Sequence, residues 1–524
     1  MTSRLRRRLA VWVGCVWIAA TSLTWTAGAD ELRHSRLHPL DEQAWDLNTA
    51  RHLLFRAGFG GSAEDVQRLY DLGLAGAVEH LVYFDGQPAV DLPPPVAPKL
   101  EISRDELRQM TEQERMAALN RFRRQEREYL NAVRAWWVRR MVITSRPLEE
   151  KLTLFWHGHF ASDSRTVERP EAMYNQNELF RQHAAGNFGQ LVHAIVRDPA
   201  MLRYLDNHRN IAGRPNENLA RELMELFTMG EGNGYTERDI AEGARALTGN
   251  SFERENMRFI FIARQHDRNA KTIFGSTGRW NGNQFVDLIL QQPATAQFIA
   301  TKLFAFFVHD HPSEEVIEEL AQLLRDHDYE LRPVLVRLFM SAEFYSPGTI
   351  GRQIKSPAEL VIGTVRTLQI NVDPNLLLQA MRSMGQDLMN PPNVRGWEGG
   401  AAWINSNALF ARHNFVASLF LGSDARSREE SRRPGMAPGR SSAGNIDWAA
   451  RLQSSGSHSA EEIVDYFARL LLARPVTGDR RDDLIASLSE LPPHTDWRSE
   501  RRTVNRQITQ LLVLMMTLPE YQLN

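Results

Sequence analysis

The side chains most suited to chemistry are concentrated in one stretch, residues 206–230. Pro215 opens a predicted helix there and Gly230 ends it, because proline is favoured in a first helical turn and glycine just past a last one. The polar residues on one face of this helix, at intervals of three and four, are Asn218, Arg221, Glu222 and Glu225. Glu222 and Glu225 lie one turn apart, with Cβ atoms about 5–6 Å from each other. Two carboxylates this close can share a proton near neutrality, which is the chemistry of a general acid and base in glycoside hydrolysis.

The same helix also supports a purely structural interpretation. Arg221 is a catalytic candidate, but it lies one turn from Glu225, so its guanidinium can instead pair with carboxylates and fix the helix in place. In the polar run before the helix, Asp206 is a further catalytic candidate. Asn207 and Asn218 are candidate substrate ligands, and all of these residues can equally belong to a structural network.

His157-Gly158-His159 is the strongest candidate for metal binding. Two imidazoles one residue apart can grip one divalent ion if the backbone is extended, a conformation that glycine permits. Glu217 is the carboxylate assigned to complete this His/carboxylate site, with a divalent metal as the candidate cofactor. No HExxH spacing supports the metal, and a histidine pair at a helix end is often only a capped turn.

His266 and Asp267 follow the best strand candidate of the chain, residues 257–263. A histidine oriented by an aspartate can act as a base, so His266 completes the set of catalytic candidates. No serine stands in a nucleophile-elbow context for it to activate. The sequence therefore argues against a Ser-His-Asp hydrolase.

A loop over residues 390–406 combines aromatic and guanidinium side chains. Arg395, Trp397 and Trp403 are candidate substrate ligands, because aromatic faces can stack on sugars and a guanidinium can donate several hydrogen bonds. The commoner explanation of such tryptophans is that they fill a junction between helices. Both interpretations stay open at this stage.

Helical periodicity dominates the elements that must position these residues. The sequence predicts a mainly α protein, a large multi-helix assembly with one small β hairpin. In that hairpin, 257–263 pairs with 271–274. Residues 103–145 are predicted to form one long helix or two in line, after an extended proline-rich linker over 85–99. N-terminal capping residues mark four helix starts, at Ser103, Thr111, Thr236 and Ser356.

The composition divides the chain into four parts. Residues 1–29 combine a basic start, a mostly apolar run and a small-residue cleavage signal, which predicts a secretory signal peptide cleaved after Ala29. Residues 30–421 are predicted to form the main helical domain. Residues 422–446 are rich in Ser, Arg, Gly and Pro and are predicted to be a disordered linker, followed by a C-terminal helical segment, 447–524, that packs on the main domain. The protein is therefore expected in the periplasm or outside the cell.

Charge and cysteine usage argue against several classes of function. The 524 residues include 62 Lys+Arg and 64 Asp+Glu. Loss of the arginines in the signal peptide would leave a net charge of about −6, which argues against nucleic-acid binding. The single cysteine, Cys15, lies in the signal peptide, so neither disulfides nor a thiol nucleophile are expected in the exported chain. The GFGG turn at Gly58 lacks a following Lys-Ser/Thr, so no nucleotide site is expected.

Several long motifs resemble those of one bacterial family, the domain-of-unknown-function family 1800. They include KLTLFWHGHFASD, GRPNENLARELMELFTMG, IKSPAELV and PPNVRGWEGGAAWINS, and the likeness runs from about residue 50 to 415. The resemblance implies an exported protein whose expected partner is an exported sulfatase-like protein, but it implies no settled activity. Asn250 stands where the family tends to place an aromatic residue, which predicts an altered pocket if that aromatic residue lines one.

Two hypotheses of function follow. The first is an exported hydrolase, metal-assisted if the histidine pair binds an ion, that acts on an envelope or extracellular polymer. The alternative is a non-catalytic secreted scaffold or binding partner whose central polar cluster is structural. The first requires the candidate histidines and glutamates to converge on an open pocket, whereas the second predicts Arg–carboxylate pairs without a cavity.

Overall fold

The computed structural model describes residues 37–99, 102–429 and 446–524. The predicted signal peptide, residues 1–29, lies outside the described residues. The described chain is mainly α-helical with two short antiparallel hairpins, which confirms the predicted fold class. Within these ranges, no helix combines the length and the apolar character that crossing a lipid bilayer requires.

The first half of the chain supplies the helices that surround the candidate site. They are Leu47–Arg56, Ala63–Asp71, Gly73–Val82, Arg104–Gln109, Glu112–Ile143, Pro147–His159, Ser164–Val167, Pro170–Gln182, Phe188–Ile195, Pro199–Tyr204, Asn218–Glu222 and Glu237–Ala246. A π-helical segment, Leu223–Thr228, continues the Asn218–Glu222 helix. The Pro147–His159 helix packs against Pro170–Gln182.

The second half completes the assembly. Its helices are Gly282–Leu290, Pro293–Phe307, Glu314–Asp326, Leu331–Met340, Pro357–Leu368, Pro374–Ser383, Ser406–Glu429, Trp448–Ser455, Ala460–Leu471, Asp479–Ala486 and Arg501–Thr517. The long Glu112–Ile143 helix packs against Pro357–Leu368 and Pro374–Ser383, so the two halves share one apolar core.

The helices begin where the capping residues predict. The side chains of Ser103, Thr111, Thr236 and Ser356 each accept the backbone N–H three residues on, and the acidic side chain there accepts the N–H of the capping residue in return. Each pair satisfies two backbone donors that a helix start would otherwise leave open. Residues 103–145 form two helices in line, as predicted.

The β structure differs from the prediction. Strand β1 (Asn250–Phe252) pairs with β2 (Phe259–Phe261), and β3 (Lys271–Ile273) pairs with β4 (Ser276–Gly278). The predicted pairing of 257–263 with 271–274 is wrong. Phe274 and Gly275 both have positive φ, 48° and 77°, which is the conformation of a tight hairpin turn, so β3 turns back on the next residues instead.

The C-terminal helices contact the main domain through buried polar groups. Arg412, fully buried, donates to the carbonyl of Lys355 at 2.7 Å and to the side chain of Gln522 at 3.0 Å. The Lys355 ammonium donates in turn to the carbonyl of Tyr521 at 2.8 Å. Ile354 forms a β-bridge with Leu523.

The predicted linker is helical in its first residues. The Ser406–Glu429 helix extends past 421, the predicted end of the main domain, into the predicted linker. The remainder of the predicted disordered linker, 430–445, lies outside the described residues.

Candidate functional site

The central helix of the sequence analysis changes geometry halfway along. It is α-helical over Asn218–Glu222 and π-helical over Leu223–Thr228, where a continuous α-helix was predicted. The Thr228 hydroxyl donates to the carbonyl of Leu223 at 2.5 Å, and the N–H groups of Met229 and Gly230 both reach the carbonyl of Met224. π-Helical turns are rare and occur frequently at functional sites.

An apolar face anchors this helix in the core. The side chains of Leu219, Leu223, Met224 and Phe227 are fully buried. The polar face is thereby turned toward the protein surface, where its residues are half-buried or exposed. Burial of one face therefore dictates where the glutamates point.

Arg221 is the centre of a carboxylate network on that polar face. Its guanidinium contacts Glu217 at 3.1 Å, Glu225 at 3.2 Å and Glu237 at 2.8 Å. Hydrogen bonding to Glu237, then to Glu225, raises the already high pKa of Arg221. Glu237 comes from the next helix, and helical spacing within residues 206–230 could not have identified it. Arg221 therefore joins two helices, as the structural interpretation predicts.

Glu222 is the exception on this face. Its side chain is half-buried, and within the described chain its carboxylate has no hydrogen bond or ion pair. Burial raises the pKa of Glu222 and the charge of Glu225 raises it further, whereas Arg395 and Arg221 lower it. A carboxylate with a shifted pKa and no structural partner is a candidate functional group. The carboxylates bound to Arg221, in contrast, have a structural partner.

The surroundings of Glu222 add residues that the sequence analysis did not single out. Burial raises the pKa of Tyr204, and the negative charges of Asp163 and Glu222 raise it further. Arg395 pairs with Glu231 at 3.2 Å, and both side chains are well exposed. Tyr204 and Glu231 lie within the stretch of family likeness, about residues 50–415, but no spacing rule connects them with residue 395. Their proximity is a tertiary property.

The histidine pair does not have the conformation that metal binding was expected to need. Residues 157–159 are the last turn of the Pro147–His159 helix, not an extended segment, so the two imidazoles leave the helix in different directions. His157 Nε2 accepts the N–H of Met389 at 3.0 Å, and His159 Nε2 bonds the carbonyl of Phe227 at 2.9 Å. Burial lowers the pKa of each to about 3.

The backbone of Gly158 is helical, and the 390–406 loop packs directly against it. A Cβ at Gly396 would lie 2.0 Å from the carbonyl oxygen of Gly158, and Gly396 has a positive φ of 78°. The Trp397 ring lies against Gly158 and 5.6 Å from the His157 ring. The 390–406 loop is therefore seated on the end of the histidine helix.

The proposed metal ligands are not brought together. Glu217 is bound to Arg221 instead of approaching the histidines. In the part of the chain that the structure describes, no three His, Cys, Asp or Glu side chains are grouped so that they could hold a metal ion.

The polar run before the helix is divided between surface and core. Asp206, with a positive φ of 55°, is exposed and lies 3.8 Å from Arg209. Asn207 is buried, and its amide donates to the carbonyls of Leu247 and Asn250 at 3.3 and 3.1 Å. Asn207 is thus bound to backbone rather than open to a substrate. Asn218 is exposed at the helix start.

The remaining candidates lie apart from Glu222. His266 lines a separate, open depression of about 500 Å³ and contacts the carbonyl of Thr248 through Nδ1 at 2.9 Å. Asp267 does not orient it, because that carboxylate is bound to Arg245 at 2.8 Å. Trp403 is buried, as expected of a tryptophan that fills a junction. His266 therefore lines a different part of the surface from the carboxylates bound to Arg221.

Asn250, the departure from the family pattern, is buried. Its amide donates to the carbonyl of Val196 at 3.2 Å, and its side chain lies beside Gly282. The residue therefore connects β1 to the 188–195 helix region instead of lining an open pocket.

Together, the fold and this polar centre define a mainly α-helical protein organised around an arginine–carboxylate network. The chain belongs to the family described as Protein of unknown function (DUF1800), whose family model matches residues 52–523. The match extends beyond the likeness recognised from the motifs, which ended near 415, and includes the C-terminal helices. No curated protein and no solved structure matches the chain significantly.

Proposed function

We propose that this protein is an exported, non-catalytic scaffold or binding protein, and that its central polar cluster holds the fold together. The observation that carries this proposal is the engagement of Arg221 with three carboxylates from two helices. A guanidinium bound in this way joins the two helices that carry its carboxylate partners, which is a structural role.

The other predicted reactive groups support the same proposal. His157 and His159 each use Nε2, and Asn207 uses its amide nitrogen, to bond backbone groups of neighbouring segments. Low pKa values keep both histidines neutral at physiological pH, as suits hydrogen bonding inside a core. Such contacts fix helices relative to each other.

The binding face of this scaffold is the surface around Glu222, Glu231 and Arg395. Arg395 and Glu231 are 63% and 66% exposed, so charged groups of a partner can reach both. The Trp397 ring nitrogen is buried without a partner among the described residues, beside this face. The partner is an extracellular polymer or the exported sulfatase-like protein that the family resemblance implies.

A second candidate function, hydrolysis of an envelope or extracellular polymer, rests on Glu222 alone. This half-buried carboxylate has a raised pKa and lies beside Glu225, which is ion-paired to Arg221. A carboxylic acid with a raised pKa next to a carboxylate that is paired with a cation is the arrangement of a general acid–base pair.

Two measurements on the exported chain separate the candidates. The first is co-sedimentation with insoluble cell-envelope polymer and co-purification with the sulfatase-like partner; the second is release of soluble fragments from the polymer. The scaffold proposal is supported if the protein binds the polymer or the sulfatase-like partner, if Arg395→Glu abolishes this binding, and if no fragments are released. The hydrolase proposal replaces the scaffold proposal if the polymer releases fragments and Glu222→Gln abolishes this release. The Glu222→Gln variant must be as stable as the wild type for this result to count. Absence of binding to either partner contradicts the scaffold proposal.

A further inference from the structure

A second cavity, distinct from the depression at His266, lies where six helices meet. Its volume is about 390 Å³, and it is open to solvent on one side. Lining residues come from the Leu47–Arg56, Ala63–Asp71, Gly73–Val82, Glu112–Ile143, Pro147–His159 and Pro357–Leu368 helices. Neither the candidate site nor the proposed function uses this cavity.

The cavity has an apolar body. The apolar lining side chains are Leu54, Leu69, Leu81, Val142, Pro147, Val365 and Ile370. Most of them are buried members of the core, so their positions are fixed by packing on the side away from the cavity. A preformed apolar wall of this kind favours a ligand with a hydrocarbon portion.

Its polar end is cationic. Arg366 lines the cavity and is held by backbone carbonyls: Nε donates to Gly60 at 3.0 Å, and Nη1 donates to Met141, Val142 and Thr144. These contacts cap the end of the Glu112–Ile143 helix. Among the described residues, Nη2 has no hydrogen-bond partner and no carboxylate forms an ion pair with Arg366, although the charge of Asp65 acts on the guanidinium from farther away.

Two further groups strengthen the preference for an anion. Arg68 lines the cavity, 3.6 Å from Asp65, whose carboxylate is shared with the Ser62 cap of its own helix. His80 also lines it and contacts the Gln87 amide nitrogen through Nδ1 at 2.9 Å. Because that amide nitrogen can only donate, Nδ1 is the acceptor and Nε2 carries the hydrogen, a second donor for an anion.

We propose that this cavity binds a small amphipathic monocarboxylate, with the carboxylate at Arg366, Arg68 and His80 and the hydrocarbon portion against the apolar wall. Arginine forms paired hydrogen bonds with a carboxylate, and a single negative charge matches the local balance of Arg366, Arg68 and Asp65. A cavity of about 390 Å³ holds roughly ten to thirteen heavy atoms. Octanoate has this size and chemistry and is the probe.

The experiment is isothermal titration calorimetry of the exported chain with octanoate, octan-1-ol and inorganic phosphate. Octanoate is expected to bind with a dissociation constant of about 0.1–1 mM, the range for a ligand of this size. Octan-1-ol, which lacks the charge, binds at least about tenfold more weakly, since a charge-assisted hydrogen bond contributes about 1.5–3 kcal/mol. Phosphate, which lacks the hydrocarbon portion, gives no measurable heat.

The variants use Arg68 rather than Arg366, because Arg366 bonds four backbone carbonyls and its loss can unfold the protein. Arg68→Gln weakens octanoate binding at least about threefold, as expected for an exposed charge. Arg108→Gln is the matched control: Arg108 is also well exposed and pairs with Asp105 at 3.7 Å with the same spacing of three residues, but lies outside the cavity. Its affinity for octanoate stays that of the wild type.

Three results would overturn the proposal. The first is that octanoate does not bind at concentrations up to about 10 mM. The second is that octanoate and octan-1-ol bind with equal affinity. The third is that Arg68→Gln and Arg108→Gln bind octanoate with equal affinity. None of them depends on a polymer or protein partner, so this test is independent of the proposed scaffold function.

Discussion

Replacing His157 tests whether the histidine helix is held by buried neutral imidazoles. Burial lowers the pKa of His157 from 6.5 to about 3, while the same side chain in the unfolded chain titrates near its ordinary value. Between these values the unfolded state binds the extra proton and the folded state does not. The contribution of His157 to the free energy of unfolding is therefore complete above pH 6.5 and is lost progressively as the pH falls toward 3.

The magnitude follows from linkage. Protonation of this one histidine in the unfolded chain lowers the free energy of unfolding by about 1.4 kcal/mol for each pH unit below 6.5. At pH 5 the loss is about 2 kcal/mol. His157→Gln removes this contribution while keeping an oxygen that can accept the Met389 N–H. At pH 7 the variant is less stable than the wild type because its packing is altered. Its free energy of unfolding, however, falls less steeply toward acid pH than that of the wild type.

The assay is urea unfolding of wild type and variant at pH 7, 6 and 5, with linear extrapolation to water. The difference between the two free energies of unfolding should shrink by about 2 kcal/mol from pH 7 to pH 5. His311→Gln, at an exposed position, is the control and should follow the wild type at every pH. Parallel curves for wild type and His157→Gln would refute the reasoning, because His157 would then not be buried and neutral in the folded state.

The other predictions concern packing, charge and recognition. Gly396→Ala should lower the free energy of unfolding by several kcal/mol, since its Cβ would overlap the carbonyl of Gly158; an unchanged urea midpoint would show that the loop is not seated there. Burial lowers the pKa of Lys355 from 10.5 to about 7, so the unfolded chain alone is protonated between those values and stability should rise with pH across them. Lys355→Met should flatten that rise in thermal melts, and an equally steep rise would contradict the burial. Glu222→Gln, which breaks no ion pair, should change the free energy of unfolding by less than about 0.5 kcal/mol, and a large loss in urea unfolding would make Glu222 a network residue.

Local features of the fold could be read from the sequence. Ser103, Thr111, Thr236 and Ser356 mark helix starts, because a capping box depends on residues only three positions apart. Hydrophobic spacing similarly located most helices. The hairpins were misassigned because the turn at Phe274 and Gly275 carries a weaker signal than the apolar alternation of 257–263.

The candidate site was less predictable, for a physical reason. Helical spacing places Glu225 one turn from Arg221, but Glu237 reaches Arg221 from another helix. His157 and Gly158 suggested a metal site because sequence cannot show that Gly396 packs against that glycine. The π-helical segment after Glu222 likewise depends on tertiary contacts. Spacing within one element identifies which residues share a face, not what lies opposite that face.

The most direct test of the structural polar cluster is a double-mutant cycle between Arg221 and Glu225. Free energies of unfolding are measured for wild type, Arg221→Ala, Glu225→Gln and the double variant. Since Glu225 is largely buried and 3.2 Å from Arg221, we predict a favourable coupling of about 0.5–1 kcal/mol. A coupling of zero, with both single variants as stable as the wild type, would contradict the claim that this network holds the helices together.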